Sequence, residues 1–92
     1  MDMVGQQQPH TVVIDLSAVM MLDLDGDNTL AKLSGELHRK NIQVLLVRVG
    51  SDNLELMRKT GTLEIVGSQN IYKTMHAAVA AAEKAGGELQ QA

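Results

Sequence analysis

The segment TVVIDLSAVMMLDLDGDNTL, residues 11–30, contains the pattern that decides the fold. Its first part, residues 11–19, opens with a continuous run of β-branched and apolar residues. A strand without alternation between apolar and polar residues is typical of a sheet covered on both faces, which is the condition of parallel sheets. The run therefore predicts a buried parallel strand over residues 11–19.

The second part of the segment leads into a helical pattern. Leu30, Leu33 and Leu37 are spaced as on one face of a helix that runs from Asp27 to Lys40. Asn41 follows and is suited to end this helix, because asparagine tolerates the left-handed conformation that often follows a last turn. Residues 20–30 are thus predicted to contain the junction between a strand and a helix.

The rest of the chain repeats this alternation. The predicted elements are a strand over Ile42–Val49, a helix that follows Gly50-Ser51-Asp52 and closes at Thr60-Gly61, a strand over Leu63–Gly67, and a helix from about Ile71 to Ala85 capped by Ser68-Gln69-Asn70. Strands that alternate with helices predict a parallel sheet with right-handed crossovers. The predicted fold class is α/β, a small, mainly parallel sheet in the order β-α-β-α-β-α. Three strands leave two open edges, which can pair with another chain.

The domain organisation follows from these elements. Residues 11–85 are predicted to form one domain, preceded by a disordered or partly ordered segment over residues 1–10. The pair Gly86-Gly87 ends the last helix, so residues 86–92 are expected to form a flexible tail.

Composition narrows the function classes. The 92 residues are 45% hydrophobic with Tyr72 as the one aromatic, carry no cysteine and have a net charge of −3. Disulfides and thiolate metal sites are therefore excluded, and nothing marks secretion. The basic residues are scattered or sit at predicted helix ends, so no nucleic-acid partner is expected. No apolar run approaches the roughly 20 residues that span a bilayer, so no direct membrane insertion is expected.

Asp23, Asp25 and Asp27 alternate like the first ligands of an EF-hand calcium loop. Counting from Asp23, however, Asn28 stands at the sixth position and Ser34 at the twelfth, where such a loop has glycine and a bidentate glutamate. The residues therefore argue against a calcium site.

Catalytic arrangements also fit poorly. No apolar pocket is indicated around one member of a carboxylate pair, as glycosidase-type catalysis requires. His10, His38 and His76 fit no metal spacing, and no phosphate-binding or nucleophile loop occurs. Since no nucleophile, base and orienting group can be named, the chain is predicted not to be an enzyme and to have no catalytic residue, metal or cofactor.

The remaining interpretation of the acidic stretch is local. Asp25 or Asp27 would cap the following helix by accepting backbone N–H groups at the positive end of its dipole, and Gly26 would give the junction conformational freedom. The functional alternative is that this turn, exposed at the carboxyl edge of the strand, is a contact or regulatory surface. Its candidate residues are Asp23, Leu24, Asp25, Gly26, Asp27, Asn28 and Thr29.

The ordered set of motifs between Thr11 and Ala82 resembles the STAS domain family (sulfate transporter and anti-sigma-factor antagonist). The motifs that carry the resemblance are Val12–Ser17, Asp23–Gly26, Leu33–Val49, Leu56–Leu63 and Ile71–Ala78. The resemblance implies a STAS-like fold. It also implies a non-catalytic regulatory or interaction role through protein–protein contact.

The family has two branches, and each branch implies a different partner for this chain. Leu46–Val49 and Asn70–Thr74 look more like the cytosolic domain of SulP-type anion permeases. That branch implies a location at the inner face of the plasma membrane, with the permease membrane domain or a cytosolic regulatory protein as partner. The alternative is a stand-alone anti-sigma-factor antagonist-like protein that binds a kinase or anti-sigma partner.

The chain departs from the family pattern at the position that is phosphorylated in the antagonists. Asp25 stands there and cannot be phosphorylated like serine, although its charge is a partial substitute for a phosphate near a helix N-terminus. Ser17, Thr29 and Ser34 are alternative acceptors.

Two further expectations follow from the resemblance. The family's first strands have no counterpart in residues 1–10, so we expect a homodimer through an uncovered sheet edge. Nucleotide binding is a third function class, based on helix N-termini at Asp27, Asp52 and Asn70; acidic residues at two of them oppose it.

Overall fold

The structure, a computed structural model, describes residues 11–84 and the backbone of residues 89–91. Its elements are β1 (Thr11–Asp15), α1 (Leu24–Arg39), β2 (Gln43–Val47), α2 (Ser51–Thr60), α3 (Thr62–Val66), β3 (Ile71–Tyr72), α4 (Met75–Lys84) and β4 (Leu89–Gln91), with a 3-10 turn at Ser68–Asn70. Strands alternate with helices along the chain, which confirms the predicted α/β class.

The four strands among the described residues form one parallel sheet in the order β3-β2-β1-β4. The register of the central pair places Thr11 opposite Gln43 and Asp15 opposite Val47. Because all strands point the same way, their carboxyl ends lie at one edge of the sheet. The turn from β1 to α1 and the turn from β2 to α2 therefore meet at this carboxyl edge.

Helices cover the two faces of the sheet and create two core clusters. On one face, Val44 and Leu46 of β2 pack with Leu30 of α1, Met57 of α2 and Val66 of α3. On the other face, a second cluster consists of Val13, Leu45, Val47, Ala78 and Ala82. The continuous apolar run in β2 is explained by this arrangement, because its successive side chains enter opposite clusters.

Helix α1 partly follows the predicted pattern. Leu30 is buried, but Leu33 is exposed and the buried positions that flank Leu30 are Asp27 and Ser34. The predicted stop is confirmed: Asn41 has a φ of 63°, its N–H donates to the carbonyl of His38, and the next N–H donates to the carbonyl of Leu37. This pair of bonds is the Schellman motif.

The predicted third strand is wrong. Residues 63–66 belong to helix α3, and the third strand is Ile71–Tyr72, where the last helix was expected to begin. Gly61, with a φ of 90°, lets the chain leave α2 and enter α3 directly. Thr62 and Val66 are then buried one helical turn apart, a spacing that suits a helix packed by one face.

The chain end also differs from the flexible tail expected over residues 86–92. Residues 89–91 form β4 and pair with β1, with Leu89 opposite Thr11 and Gln91 opposite Val13. The sheet therefore has a fourth strand, and β1 lies between two neighbours. The expectations for residues 1–10, 85–88 and 92 lie outside the described residues.

Candidate interaction site at the strand-to-helix turn

The turn between β1 and α1 has a defined backbone path. The N–H of Val19 donates to the carbonyl of Leu16 at 3.0 Å, and the N–H of Ser17 donates to the Asp15 carboxylate at 2.9 Å. The backbone and side-chain hydrogen bonds from Ser17 lower the pKa of Asp15, with a smaller contribution from the charge of Arg48. The chain thus leaves the sheet through a hydrogen-bonded bend, which explains why β1 ends at Asp15.

Asn53 of α2 holds the next part of the turn. Its side-chain oxygen accepts the N–H of Leu22 at 2.8 Å, and its side-chain nitrogen donates to the carbonyl of Val19 at 3.3 Å. The side chain is 3% exposed, so it pairs backbone groups of the turn much as a neighbouring strand would. The turn is therefore fixed to α2 across more than thirty positions of sequence.

The outer side of this turn is apolar and acidic. Met20 is 94% exposed, Met21 80% and Leu24 67%. Asp23 and Asp25 are exposed beside them. We call these five residues the turn surface. Large apolar side chains in such exposed positions are typical of interaction sites when they cluster.

The helix cap differs from the prediction. Asp23 caps α1, since its carboxylate accepts the N–H of Gly26 at 2.7 Å, whereas the sequence favoured Asp25 or Asp27. Gly26 lies close to this cap: a Cβ there would lie 3.1 Å from both the Asp23 Oδ1 and the Leu22 Cδ1. A side chain at this position would therefore crowd the capping carboxylate and Leu22, and glycine avoids this crowding.

Asp27 does not belong to the contact surface expected over residues 23–29. It is 3% exposed, and its Oδ2 accepts a hydrogen bond of 2.9 Å from the Thr62 hydroxyl of α3. Its Oδ1 has no partner among the described residues. The carboxyl group therefore joins α1 to α3 in the interior, while Asn28 and Thr29 remain exposed.

The three aspartates do not converge. Asp23 caps the helix, Asp25 faces solvent, and Asp27 is buried. Within residues 11–84 and 89–91, no three histidine, aspartate or glutamate residues come together as a metal site would require. Nor is any described helix long and apolar enough to cross a bilayer.

The expected helix N-terminus at Asn70 is also wrong. Asn70 is buried, donates to the carbonyl of Val66 and accepts from Gln43, so it links the 3-10 turn to β2. Helix α4 begins at Met75, and the hydroxyl of Thr74 accepts the N–H of Ala77 at 3.1 Å. This segment therefore offers no helix N-terminus at residue 70 for an anion.

Sequence reasoning missed three parts of the site. Asn53 and Thr62 carry no local signal, because their partners lie more than thirty positions away. Met20 and Met21 were expected directly after a strand over residues 11–19, although the strand already ends at Asp15. The available signal was the length of the predicted strand over residues 11–19, which exceeds a typical strand of about five to six residues.

Comparisons with known proteins agree with this fold. The STAS domain family profile matches residues 1–78. The chain is 31% identical over 72 residues to sulfate transporter 3.2 of Arabidopsis thaliana, and that match covers 78% of this chain and 11% of the transporter. The chain thus spans about a tenth of this relative's length.

Solved structures are similar as well, including the following two. The STAS domain of the SulP transporter from Vibrio cholerae superposes with a TM-score of 0.79 at 29% identity, covering 87% of this chain and 62% of that one. The murine Slc26a9 anion transporter gives a TM-score of 0.72 at 30% identity over 82% of this chain and 12% of that one. With the family profile matching most of its length, the chain belongs to the STAS domain family.

Proposed function

We propose that this chain is a non-catalytic regulatory domain of a SulP-type sulfate or other anion transporter and acts by protein–protein contact through the turn surface. Its partner would be the membrane domain of the permease or a cytosolic regulatory protein, at the inner face of the plasma membrane. The proposal is supported by the similarity to sulfate transporters and to SulP and Slc26a9 structures.

The observation that carries the proposal is the exposure of three large apolar side chains on a fixed turn. Met20, Met21 and Leu24 are exposed. Asn53 holds the backbone on both sides of the two methionines, at Val19 and at Leu22. A fixed turn loses less conformational entropy on binding than a flexible one, so more of the contact energy contributes to affinity. Methionine also adapts its shape to a partner because its side chain is unbranched.

The charges of the turn surface define the expected partner surface. Asp23 and Asp25 are exposed next to the apolar residues, so the partner should present an apolar patch bordered by lysine or arginine. Asp25 would supply its charge permanently, where related antagonists rely on phosphorylation of the equivalent residue. Ser34 is fully buried and is therefore unsuitable as an alternative phosphorylation site.

Photo-crosslinking tests the proposed contact. p-Benzoylphenylalanine is introduced in place of Met21, and the chain is co-expressed with a SulP-type membrane domain encoded in the same genome. Irradiation should give an adduct whose crosslinked peptide lies in that membrane domain. The same replacement at Lys40, which is exposed at the opposite edge of the sheet, is the control and should give none.

Charge reversal is the second part of the crosslinking experiment. Asp25→Lys should reduce the crosslinking yield, because it places a cation against the expected basic border. Glu64→Lys is a matched control, since Glu64 is also an exposed acid in the first turn of a helix. If adducts form equally from positions 21 and 40, or if both reversals act alike, the proposed contact is wrong. An adduct with a kinase-type cytosolic protein would favour the antagonist-like alternative instead.

A further inference from the structure

A second surface feature, separate from the turn surface, lies where β2 and β3 end. It is an open cleft of about 700 Å³ between α2, α3 and β3. This volume is within the range of about 300–1,000 Å³ that is usual for small-molecule sites. Its position at the carboxyl ends of parallel strands is also where open α/β sheets generally bind ligands.

The floor of the cleft is mainly aliphatic. Val49, Leu54, Leu63, Ile71 and Tyr72 line it, and each is half-buried, so each keeps part of its side chain exposed to the cleft or its surroundings. An apolar ligand body would remove this residual surface from water, which is favourable by about 25 cal/mol per Å². Tyr72 is the only phenylalanine, tyrosine or tryptophan in the chain, so the floor offers a single large ring for stacking.

The rim of the cleft is basic. Arg48, Arg58 and Lys73 line it together with one carboxylate, Glu55. Arg58 is already engaged by Glu55, because its Nε donates to that carboxylate at 3.1 Å and a second nitrogen donates to the other oxygen. Within the part of the chain that the structure describes, Arg48 and Lys73 have no carboxylate in salt-bridge distance.

Arg48 is held in an unusual conformation at this rim. Its φ is 61°, a left-handed value uncommon outside glycine, and its N–H donates to the carbonyl of Tyr72 at 2.9 Å. Non-glycine residues in this region carry a conformational cost and are concentrated at ligand sites. The bond fixes the end of β2 to the end of β3, so Arg48 and Lys73 border the same part of the rim. Asp15 interacts with the charge of Arg48 but forms no salt bridge with it.

We propose that this cleft binds a small amphiphilic monoanion, with the apolar body on the aliphatic floor and a carboxylate head between Arg48 and Lys73. The charge complementarity of the rim selects an anion, and the neighbouring Glu55 disfavours a polyanion. The cleft is separate from the turn surface, since none of its lining residues belongs to that surface.

Titration with decanoate, followed by amide chemical shifts, tests the proposal. Saturable shifts are expected at residues 48–51 and 71–73. Acetate has the head without the body, and 1-decanol has the body without the charge; both should bind at least roughly tenfold more weakly if head and body both contribute. Equal binding of decanoate and 1-decanol would overturn the assignment of the charged head.

Variants locate the site. Arg48→Gln combined with Lys73→Gln should weaken decanoate binding by roughly tenfold or more, since charge-assisted contacts are lost. Lys32→Gln combined with Arg39→Gln removes the same charge from exposed residues of α1 and should leave binding unchanged. Ser68→Trp, at an exposed rim position, should block the cleft without disturbing the core.

Three results would contradict the proposal: no saturable binding, shifts centred elsewhere, or equal effects of the two double variants. Retention of the protein on phosphatidylglycerol vesicles without saturable binding of free decanoate would assign the cleft to a membrane surface and would overturn the proposal as well.

Discussion

Asn53 shows how a single side chain can replace missing backbone pairing. Both of its polar groups bond the turn, and the residue is buried. Asn53→Ala would leave the N–H of Leu22 and the carbonyl of Val19 without these partners. We expect the free energy of unfolding to fall by about 1–3 kcal/mol, measured by urea denaturation. The amide of Leu22 should also lose protection in hydrogen exchange.

The control for this change is Asn28→Ala, since Asn28 lies exposed on α1. Its free energy of unfolding should be unchanged or slightly raised, because alanine is the better helix former. A protected Leu22 amide in the Asn53→Ala protein would show that the turn is held by something other than this side chain.

The hydrogen bond between Thr62 and Asp27 leads to a second prediction for a single residue. Thr62→Val keeps the shape of the side chain but removes the donor, so the buried Asp27 carboxyl loses its one partner among the described residues. The free energy of unfolding should fall by roughly 1–3 kcal/mol. Thr62→Ser retains the hydroxyl and should lose clearly less; equal losses would mean that the methyl group matters more than the bond.

Asp15 contributes to the pH dependence of stability. The pKa of its carboxyl is lowered from 3.8, first by the Ser17 backbone N–H and then by the Ser17 hydroxyl. Since the folded-state pKa is the lower one, the stabilisation is present above the unfolded-state pKa and is lost as the pH falls through the folded-state value.

Ser17→Ala removes the second of these two bonds and keeps the first. The pKa of Asp15 should therefore rise toward its ordinary value without reaching it, as measured by a carbon-13 NMR titration of the carboxyl group. Ser51→Ala, at another exposed serine, is the control. An unchanged pKa in Ser17→Ala would mean that the hydroxyl does not bond the carboxylate in solution.

Among the elements, α1 offers a stability test at its end. Asn41 adopts a φ of 63°, where glycine carries no steric penalty. Asn41→Gly should raise the free energy of unfolding by up to about 1 kcal/mol, and Asn41→Ala should lower it by about 1 kcal/mol. Urea midpoints measure both changes. The opposite order would show that the last turn does not adopt the Schellman geometry in solution.

Elements with a long regular pattern could be predicted from the sequence. Strand β2 and helix α1 were located to within a few residues, because apolar runs and helical spacing are strong there. The segment from Leu63 to Val66 was wrongly predicted as a strand, because four residues with two β-branched members fit either state. Tertiary contacts favour the helix α3: the Thr62 hydroxyl donates a hydrogen bond to Asp27, and the Val66 side chain packs in the core.

For the whole molecule, pairing between β4 and β1 makes the chain end part of the sheet. Removal of residues 86–92 should lower the free energy of unfolding and uncover one side of β1. An uncovered strand edge favours association, so the truncated chain should sediment as a larger species than the intact chain. Unchanged stability and size would contradict a structural role for β4.

Self-association of the intact chain remains a prediction. The outer strands of the described sheet are β3, with two residues, and β4, with three, so edge pairing between copies would form few hydrogen bonds. We expect a weak homodimer whose proportion rises with concentration in sedimentation velocity experiments. A monomer at the highest concentrations that can be reached would rule it out.

The position of the candidate site was predictable from the sequence, but its composition was not. The acidic turn follows from the junction between strand and helix. The separation of Asp23, Asp25 and Asp27 into a cap, an exposed acid and a buried acid depends on where α3 packs. Likewise, the cleft combines residues from α2, α3 and β3. It could not be predicted from the sequence, because the segment that forms α3 was predicted as a strand.

Helix α2 has a consequence for communication across the domain. Asn53 of this helix holds the turn between β1 and α1, and the next residue, Leu54, lines the cleft. Two adjacent residues of one helix therefore contact both sites. A ligand that displaces α2 on entering the cleft changes the free energy with which a protein binds the turn surface. A protein bound to the turn surface likewise changes the free energy of ligand binding in the cleft. Thermodynamic linkage makes the two effects equal in magnitude. A ligand that changes the affinity of the domain for its protein partner by a given factor therefore has its own affinity changed by the partner by the same factor.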